Sequence, residues 1–193
     1  MISELKRGTL YTIVTMVLFG GVYHLLIWGI GQAAFPAQAE GSLLRRGDGS
    51  VVGSSLIAQK FMQTQYFQPR PSSVDYNAAS TGGSNYGPSS LDHLKAVRDR
   101  VDTVVAQEGV SPADVPSEMV TASGGGLDPH IPPNAAELQV PRVARARNVE
   151  AERIRDLVRS HTRGPALSVF GRARINVLEL NLALDEAFGR VQK

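Results

Sequence analysis

The sequence predicts a mixed α/β protein in which one N-terminal transmembrane helix precedes a single extracytoplasmic α/β domain. Three observations lead to this expectation. Residues 8–30 contain no Asp, Glu, Lys or Arg, and later stretches alternate between helical periodicity and short extended runs. The total of 193 residues accommodates one compact domain and an accessory element. We therefore divide the chain into residues 1–34, which hold the N-terminus and the membrane span, and residues 35–193, which form the domain.

The uncharged run from Gly8 to Ile30 predicts the membrane helix. At 1.5 Å per residue it extends about 34 Å, which exceeds the thickness of a bilayer's hydrocarbon core, about 30 Å. Aromatic rings with a polar tip and basic side chains favour the membrane–water interfaces. The interface anchors are therefore expected to be Lys6, Arg7, Tyr11, Tyr23 and Trp28.

The charges that flank this run predict its orientation. Lys6 and Arg7 precede it, and no basic residue follows until Arg45. Because basic flanks stay on the cytoplasmic side, we expect a single-pass protein of the plasma (inner) membrane with a cytoplasmic N-terminus and an extracytoplasmic (periplasmic) main domain. Ala37-Gln38-Ala39 would also suit a cleaved signal peptide, but the apolar run is longer than the 7–15 residues of a signal core. A retained anchor is favoured.

The first half of the domain predicts a hairpin and a helix. Residues 41–57 contain two short extended runs around the tight turn at 47–49, as in a β-hairpin. An aromatic-rich stretch follows and stops at Pro69 and Pro71. Apolar residues then recur at steps of three and four over residues 91–107, which predicts an amphipathic helix that ends at Gly109.

The second half predicts further helices and a C-terminal strand. Asn134 and Glu137 fit a capping box that opens a short helix, which Pro141 interrupts before a new helix starts there. Another helix is expected from Asn148 to the Gly164-Pro165 pair. Residues 175–182 predict a largely buried strand that runs into a turn or helix over 185–191, with a helix as the alternative for the whole stretch.

Two polar loops carry the residue types of a functional site. Residues 80–90 (STGGSNYGPSS) predict an ordered turn, and a phosphate-binding loop is less favoured because the motif's lysine is absent. Residues 121–133 (TASGGGLDPHIPP) predict a rigid, exposed corner, since glycines allow close turns and prolines hold the chain extended. No catalytic residue is assigned, because no G-x-S-x-G elbow is present.

Composition excludes several further classes. There is no cysteine, and the four histidines are far apart in sequence, so neither a disulfide framework nor a metal site is expected. Nine arginines lie between Arg142 and Arg174, but acidic residues interrupt them and aromatic residues do not alternate with them. A nucleic-acid partner is therefore not expected.

Seven separated stretches together resemble the C subunit of the Kdp potassium-transporting P-type ATPase, the KdpC family. They are GSLL at 41–44, VVGSSLIAQKF at 51–61, YFQPRPSSVDY at 66–76, STGGSNYGP at 80–88, VTASGGGLDPHI at 120–131, QVPRVARARN at 139–148 and INVLELNLALD at 175–185. The resemblance implies a non-catalytic subunit of a high-affinity, ATP-driven potassium import complex. The implied partners are the lipid bilayer, a channel-like potassium-binding A subunit, a P-type ATPase B subunit and a small F subunit.

The resemblance also implies a catalytic chaperone that stabilises assembly and raises the ATP affinity of the pump subunit. No cofactor is expected to bind firmly, but ATP is the ligand that the resemblance suggests. The implied nucleotide or partner-contact loop is Ser80, Thr81, Gly82, Gly83, Ser84 and Asn85, and a second implied partner-contact loop contains Ser123, Asp128, Pro129 and His130. The predicted orientation conflicts with ATP contact, because it places residues 80–84 outside the cytoplasm.

One alternative function remains open at this point. The Ser, Asp and His side chains of the 121–133 corner could serve a membrane-tethered extracytoplasmic hydrolase or binding protein. The absence of a D-K-T-G phosphorylation motif and of a Walker lysine in the chain agrees with the accessory subunit instead.

Overall fold

The computed structural model describes residues 1–190 and divides the chain into two compact units, Met1–Leu43 and the residues from Leu44 onward. Val191, the last residue of the predicted 185–191 segment, lies outside the described residues. The chain is a mixed α/β protein with one apolar N-terminal helix, as the sequence predicts.

The first unit is dominated by the apolar helix, Ile2–Ala34. It consists of α1 (Ile2–Val17), a π-helical turn (Leu18–Val22) that contains Gly20 and Gly21, and α2 (Tyr23–Ala34). A short helix, α3 (Pro36–Ala39), follows. The apolar helix is longer than the predicted 8–30 run, and its most apolar window has no residue buried by the rest of the protein.

The second unit combines helices with two small sheets. Strands β1 (Leu43–Arg45) and β2 (Val51–Ser54) form the predicted hairpin. Strands β3 (His130–Ile131) and β4 (Ile175–Asn176) pair in antiparallel register, His130 with Asn176 and Ile131 with Ile175. The helices are α4 (Leu91–Glu108), α5 (Ser117–Val120), α6 (Pro133–Arg147), α7 (Ala151–Ser160) and α8 (Val177–Phe188), with a 3-10 turn at Pro112–Asp114.

The hydrophobic core lies among α4, α6, α7 and α8. These helices supply buried residues at helical spacing, and the loop residue Phe67 is also fully buried among them. The fully buried side chains include Val140 and Val143 of α6, Ile154 of α7, and Leu180 and Leu184 of α8.

Helix α4 confirms its prediction closely. Ser90 caps its start by accepting a hydrogen bond from the His93 amide, and Gly109 ends it in the left-handed conformation at φ 71°. The helix predicted from Asn148 is also present, as α7.

The predicted break at Pro141 is wrong. Helix α6 runs unbroken through this proline, although a proline inside a helix costs about 3 kcal/mol. Pro141 lies on the exposed side, whereas its neighbours Val140 and Arg142 are buried. Burial of these flanking residues holds the helix together across the proline. The capping box is wrong too, because Pro132 precedes the helix and the Asn134 side chain accepts only from the Ala135 amide, at 3.0 Å.

The predicted C-terminal strand is also wrong beyond Asn176, and the helical alternative is confirmed. The side-chain oxygen of Asn176 accepts hydrogen bonds from the amides of Leu178 and Glu179, each at 3.1 Å. This N-cap starts α8 immediately after the two-residue strand. Val177, Leu180 and Leu184 are then buried at helical spacing.

Candidate functional site

The structure brings the two predicted polar loops together, although 44 residues separate Thr81 from Gly125. The Thr81 hydroxyl donates to the Gly125 carbonyl at 2.8 Å, and the Gly82 amide donates to the same oxygen at 3.2 Å. We call residues 80–85 and 121–130 the paired loops. Ser80, Thr81, Ser84 and Asn85 are exposed, and Gly82 and Gly83 are half-buried.

Two glycines in the paired loops lie so close to other atoms that a side chain would not fit there. A Cβ on Gly83 would lie 2.6 Å from the Gly124 carbonyl oxygen. Gly126 has φ 71°, and a Cβ there would lie 2.7 Å from Val74 Cγ2. A Cβ on Gly124, in contrast, meets nothing within 4 Å. Gly83 is therefore explained by contact with a backbone carbonyl, and Gly126 by its left-handed φ and contact with Val74, so neither glycine requires an open phosphate cradle.

Gly126→Ala is expected to destabilise the domain by about 2–4 kcal/mol, because it adds left-handed strain and an overlap with Val74. Gly83→Ala should also destabilise it. The matched control, Gly124→Ala, should leave the melting temperature within about 1 °C. Scanning calorimetry of the three variants tests this, and equal effects at the three positions would contradict the paired arrangement.

Polar side chains at the base of the paired loops form a compact group. Arg70 Nη1 donates to Asp128 Oδ2 at 3.2 Å, and the His130 amide donates to Asp128 Oδ1 at 3.0 Å. His130 Nδ1 lies 3.4 Å from the same Oδ1 atom. Pro129 is buried, and its carbonyl accepts from the Val177 amide at 2.9 Å, which joins the loop to α8. This group fixes the loop to the core.

The geometry does not favour the hydrolase alternative. Ser123 is only 5% exposed, and its hydroxyl oxygen accepts a long hydrogen bond, 3.4 Å, from the Asp128 amide. A serine nucleophile needs an accessible hydroxyl bonded to a base. Within residues 1–190, the structure gives Ser123 no hydrogen bond to His130.

Asp128 is expected to make the domain sensitive to acid. Burial opposes its charge, but hydrogen bonds from His130 and the nearby charge of Arg70 outweigh burial and hold the pKa of Asp128 below its usual value. A lowered folded-state pKa adds stability above the unfolded pKa, about 3.9, and this stability is lost as the pH falls through the lower folded value.

The difference in melting temperature between the parent protein and Asp128→Asn should therefore be largest near pH 7 and shrink below about pH 4. Asp114→Asn, which changes an exposed aspartate, serves as the control and should show no such trend. A difference that stays constant from pH 7 to pH 2.5 would show that the charge of Asp128 contributes nothing.

A second group of polar residues was missed by sequence reasoning. Five side chains, Gln139, Arg142 and Arg147 of α6 with Asn181 and Asp185 of α8, hold residues 64–68, and we call them the backbone clamp. Asn181 accepts from the Phe67 amide at 2.8 Å and donates to the Phe67 carbonyl at 2.9 Å. Gln139 does the same for Gln68, at 2.7 and 3.2 Å. These side-chain amides take the place of a neighbouring strand.

Arg142 is the centre of the clamp. Its guanidinium donates to the carbonyls of Thr64 and Tyr66 and to the Glu108 carboxylate, the last at 2.8 Å. The Glu108 and Arg142 side chains are 1% and 5% exposed. Burial raises the pKa of Glu108, and the charge of Arg142 opposes that shift. The ion pair is thus a structural contact that removes two charges from solvent.

Arg147 completes the clamp beside Asp185. It donates to the Gln65 carbonyl and to the Asp185 carboxylate, both at 2.8 Å. Its guanidinium also lies 5.0 Å from the centre of the Tyr66 ring, whose hydroxyl donates to Asp185 at 3.0 Å. Burial and the bond to Asp185 raise the pKa of Tyr66. The clamp's charged side chains therefore serve the fold.

A cleft of about 370 Å³ lies between α4 and residues 60–76. Arg100 lines it, but its guanidinium donates to the Val120 carbonyl at 3.0 Å. Tyr76 also lines it, and its hydroxyl donates to the Arg70 carbonyl at 2.8 Å. Burial and the nearby Asp75 raise the pKa of Tyr76 to about 12. These polar groups already have partners within the protein.

The remaining predicted residues lie in the apolar helix or concern metals. Arg7 pairs with Glu4 at 3.2 Å, and Tyr11, Tyr23 and Trp28 are exposed along the helix with Lys6. Their place at a membrane interface stays a prediction. Within residues 1–190, no three His, Asp or Glu side chains are grouped so that they could hold a metal ion.

These features define a class of protein: a small α/β domain in one chain with a helix that is long and apolar enough to cross a membrane. Comparison with protein families shows which family the chain belongs to. Residues 5–186 match KdpC, described as "K+-transporting ATPase, c chain". The chain belongs to the KdpC family.

Curated relatives align with this chain over nearly its full length. The "Potassium-transporting ATPase KdpC subunit" of Geobacter sulfurreducens is 46% identical over 95% of this chain and 97% of the relative. The proteins of the same name from Ralstonia nicotianae and Kineococcus radiotolerans are 47% and 45% identical. They cover 94% and 97% of this chain, and 91% and 95% of their own lengths, respectively.

Proposed function

We propose that this KdpC chain is a non-catalytic, single-pass membrane subunit that stabilises assembly of the potassium pump. Its partners are the channel-like A subunit, the ATP-hydrolysing B subunit and the small F subunit. One observation carries the proposal: the most apolar window of Ile2–Ala34 has no residue buried by the rest of the protein. In water such a surface is unfavourable by about 25 cal/mol per Å², so lipid and partner helices are its natural environment.

The orientation in this proposal rests on charge. Lys6 and Arg7 lie in the first turns of α1, whereas α2 and α3 contain no lysine or arginine. The N-terminus is therefore assigned to the cytoplasm and the domain to the outside, periplasmic face. In this arrangement the paired loops are contact surfaces for the other subunits.

The effect on ATP is proposed to be indirect. Assembly with this subunit raises the ATP affinity of the B subunit, while the domain itself remains on the opposite side of the membrane. The Gly82 amide supports the indirect route, because it is bonded to Gly125 and is not available to a phosphate. Direct contact would instead appear as photolabelling of residues 80–85 by an azido-ATP analogue in the whole complex.

Protease treatment of sealed spheroplasts tests the topology. The domain should be cut from outside, and a tag on Met1 should survive until the membrane is opened. Intact mass should show that the chain is not cut after Ala39. A domain protected in intact spheroplasts would reverse the proposed orientation, and a free domain trimmed after Ala39 would refute the anchor.

Co-purification tests assembly independently of topology. Extraction in mild detergent should recover the chain with the A, B and F subunits, and Gly126→Ala should reduce this recovery more than Gly124→Ala. The proposed role would be refuted if the chain were recovered without the other subunits and if the pump that lacks this chain kept full activity.

A further inference from the structure

An exposed hairpin projects between α7 and α8. Arg163 and Arg174 exchange two main-chain hydrogen bonds of 2.9 Å, and Ala166 and Phe170 exchange two of 2.8 Å. Leu167 and Ser168 form the turn in the left-handed conformation, at φ 50° and 62°. We call residues 163–174 the arginine hairpin. It contributes no residue to the buried core.

The tip of the arginine hairpin is apolar and open to solvent. Leu167, Val169 and Phe170 are 85%, 76% and 66% exposed. Three large apolar side chains exposed on one short turn are unfavourable in water. A two-stranded hairpin is only marginally stable by itself in water, so contact with another surface also stabilises it.

The base of the arginine hairpin is basic. Arg163, Arg172 and Arg174 flank the tip, and the sequence from Leu157 to Leu178 contains no acidic residue. Arg163 pairs with Glu179 at 2.6 Å. Within residues 1–190, Arg172 and Arg174 have no ion-pair partner. Two arginines without an ion-pair partner therefore lie on the same short hairpin as three exposed apolar side chains.

We propose that the arginine hairpin docks on the surface of an anionic lipid bilayer. Leu167, Val169 and Phe170 enter the interfacial layer, while Arg172 and Arg174 contact lipid phosphates. This combination of apolar tip and basic base is complementary to a negatively charged membrane, where each arginine near the surface strengthens binding about fivefold.

Chain length makes this contact feasible. Residues 35–43 connect the apolar helix to the second unit and include the short helix α3. With α3 at about 1.5 Å per residue and the other residues extended at about 3.3 Å, this connection spans about 22 Å. A domain of this size is about 40 Å across. The inference rests on the proposed function, because an anchored helix is what keeps the domain beside the bilayer.

The absence of cysteine allows a direct measurement on the full chain. Phe170→Cys carries a spin label at the tip, and Leu91→Cys carries one at another exposed apolar position, the start of α4. Both are reconstituted in nanodiscs with phosphatidylglycerol or with phosphatidylcholine alone. Collisions with a water-soluble nickel chelate should fall at least threefold for the Phe170 label in anionic nanodiscs, and remain unchanged for the Leu91 label.

Charge variants test whether Arg172 and Arg174 provide the attraction to anionic lipid. Combining Phe170→Cys with Arg172→Gln and Arg174→Gln should restore collisions to the level in neutral lipid. Arg98→Gln, which removes an exposed arginine on α4, should not. Equal protection with and without Arg172 and Arg174 would refute the proposed recognition of anionic lipid.

A third label separates failure of this inference from failure of the anchor. A spin label on Val14→Cys reports whether the apolar helix lies in lipid. If the Val14 label is in lipid and the Phe170 label stays in water, the docking inference is wrong and the anchor stands. If both are in water, the anchor itself is wrong. Protection of Phe170 only after the other pump subunits are added would overturn lipid docking in favour of a protein contact.

Discussion

Replacing Arg142 by leucine is expected to lower the free energy of unfolding of the domain by about 3–5 kcal/mol. The change leaves the Glu108 carboxylate buried without its cation, and the carbonyls of Thr64 and Tyr66 without a donor. For a protein of this size, the melting temperature measured by scanning calorimetry in mild detergent should fall by about 6–20 °C.

The pH dependence of this variant gives a second readout. Without Arg142, the pKa of Glu108 should rise further, because burial is then opposed only by the weaker influence of the Arg145 charge. A raised folded-state pKa means that stability declines as the pH rises above the unfolded value, about 4.3. The loss in free energy of unfolding of Arg142→Leu, relative to the parent protein, should therefore be smaller at pH 5 than at pH 8.

Two controls make the Arg142 result specific. Arg145→Leu removes an exposed arginine from the same helix and should change stability by less than about 0.5 kcal/mol. Glu108→Leu combined with Arg142→Leu should recover part of the loss, since no unpaired charge then remains in the core. A double variant as unstable as Arg142→Leu would show that the buried charge is not the cause.

Asn181→Leu is expected to lower the free energy of unfolding of the domain by about 2–6 kcal/mol. Leucine has the same branched skeleton of side-chain heavy atoms, so the change removes hydrogen bonds without opening a cavity. It leaves both main-chain groups of Phe67 buried and unpaired, at about 1–3 kcal/mol each.

Hydrogen exchange checks where that loss arises. The Phe67 amide should exchange much faster in Asn181→Leu, whereas amides in the middle of α4 should change only as far as global stability does. Asn134→Leu, at an exposed asparagine in α6, should cost at most about 1 kcal/mol. An unchanged exchange rate at Phe67 would contradict its dependence on Asn181.

Elements with strong local signals were predictable from the sequence. The apolar helix follows from an uncharged run, the β1–β2 hairpin from its glycine turn, and α4 from apolar spacing between Ser90 and Gly109. Local rules failed where packing overrides them. The core holds α6 together across Pro141, and the Asn176 side chain starts a helix in a stretch whose composition suits a strand.

The candidate site was predictable only in part. Both polar loops were identified from composition, but their pairing depends on contacts across 44 residues that no local pattern encodes. The backbone clamp left a weaker signal, which is polar residues at buried positions of helices. Gln139 and Arg142 are spaced by one turn on the apolar side of α6, and Asn181 lies between buried leucines in α8. Such residues indicate internal hydrogen bonding when no ligand chemistry accompanies them.

The backbone clamp can be completed only after α8 has been synthesised. Phe67 and Asn181 are separated by 114 residues, so at 5–20 residues per second the ribosome needs about 6–23 s to add Asn181 after Phe67. During that interval the amide and carbonyl of Phe67 lack the Asn181 side chain that bonds both of them in the finished domain. Copies that stop before α8 leave Phe67 without these two bonds, and only chains that reach α8 can complete the clamp.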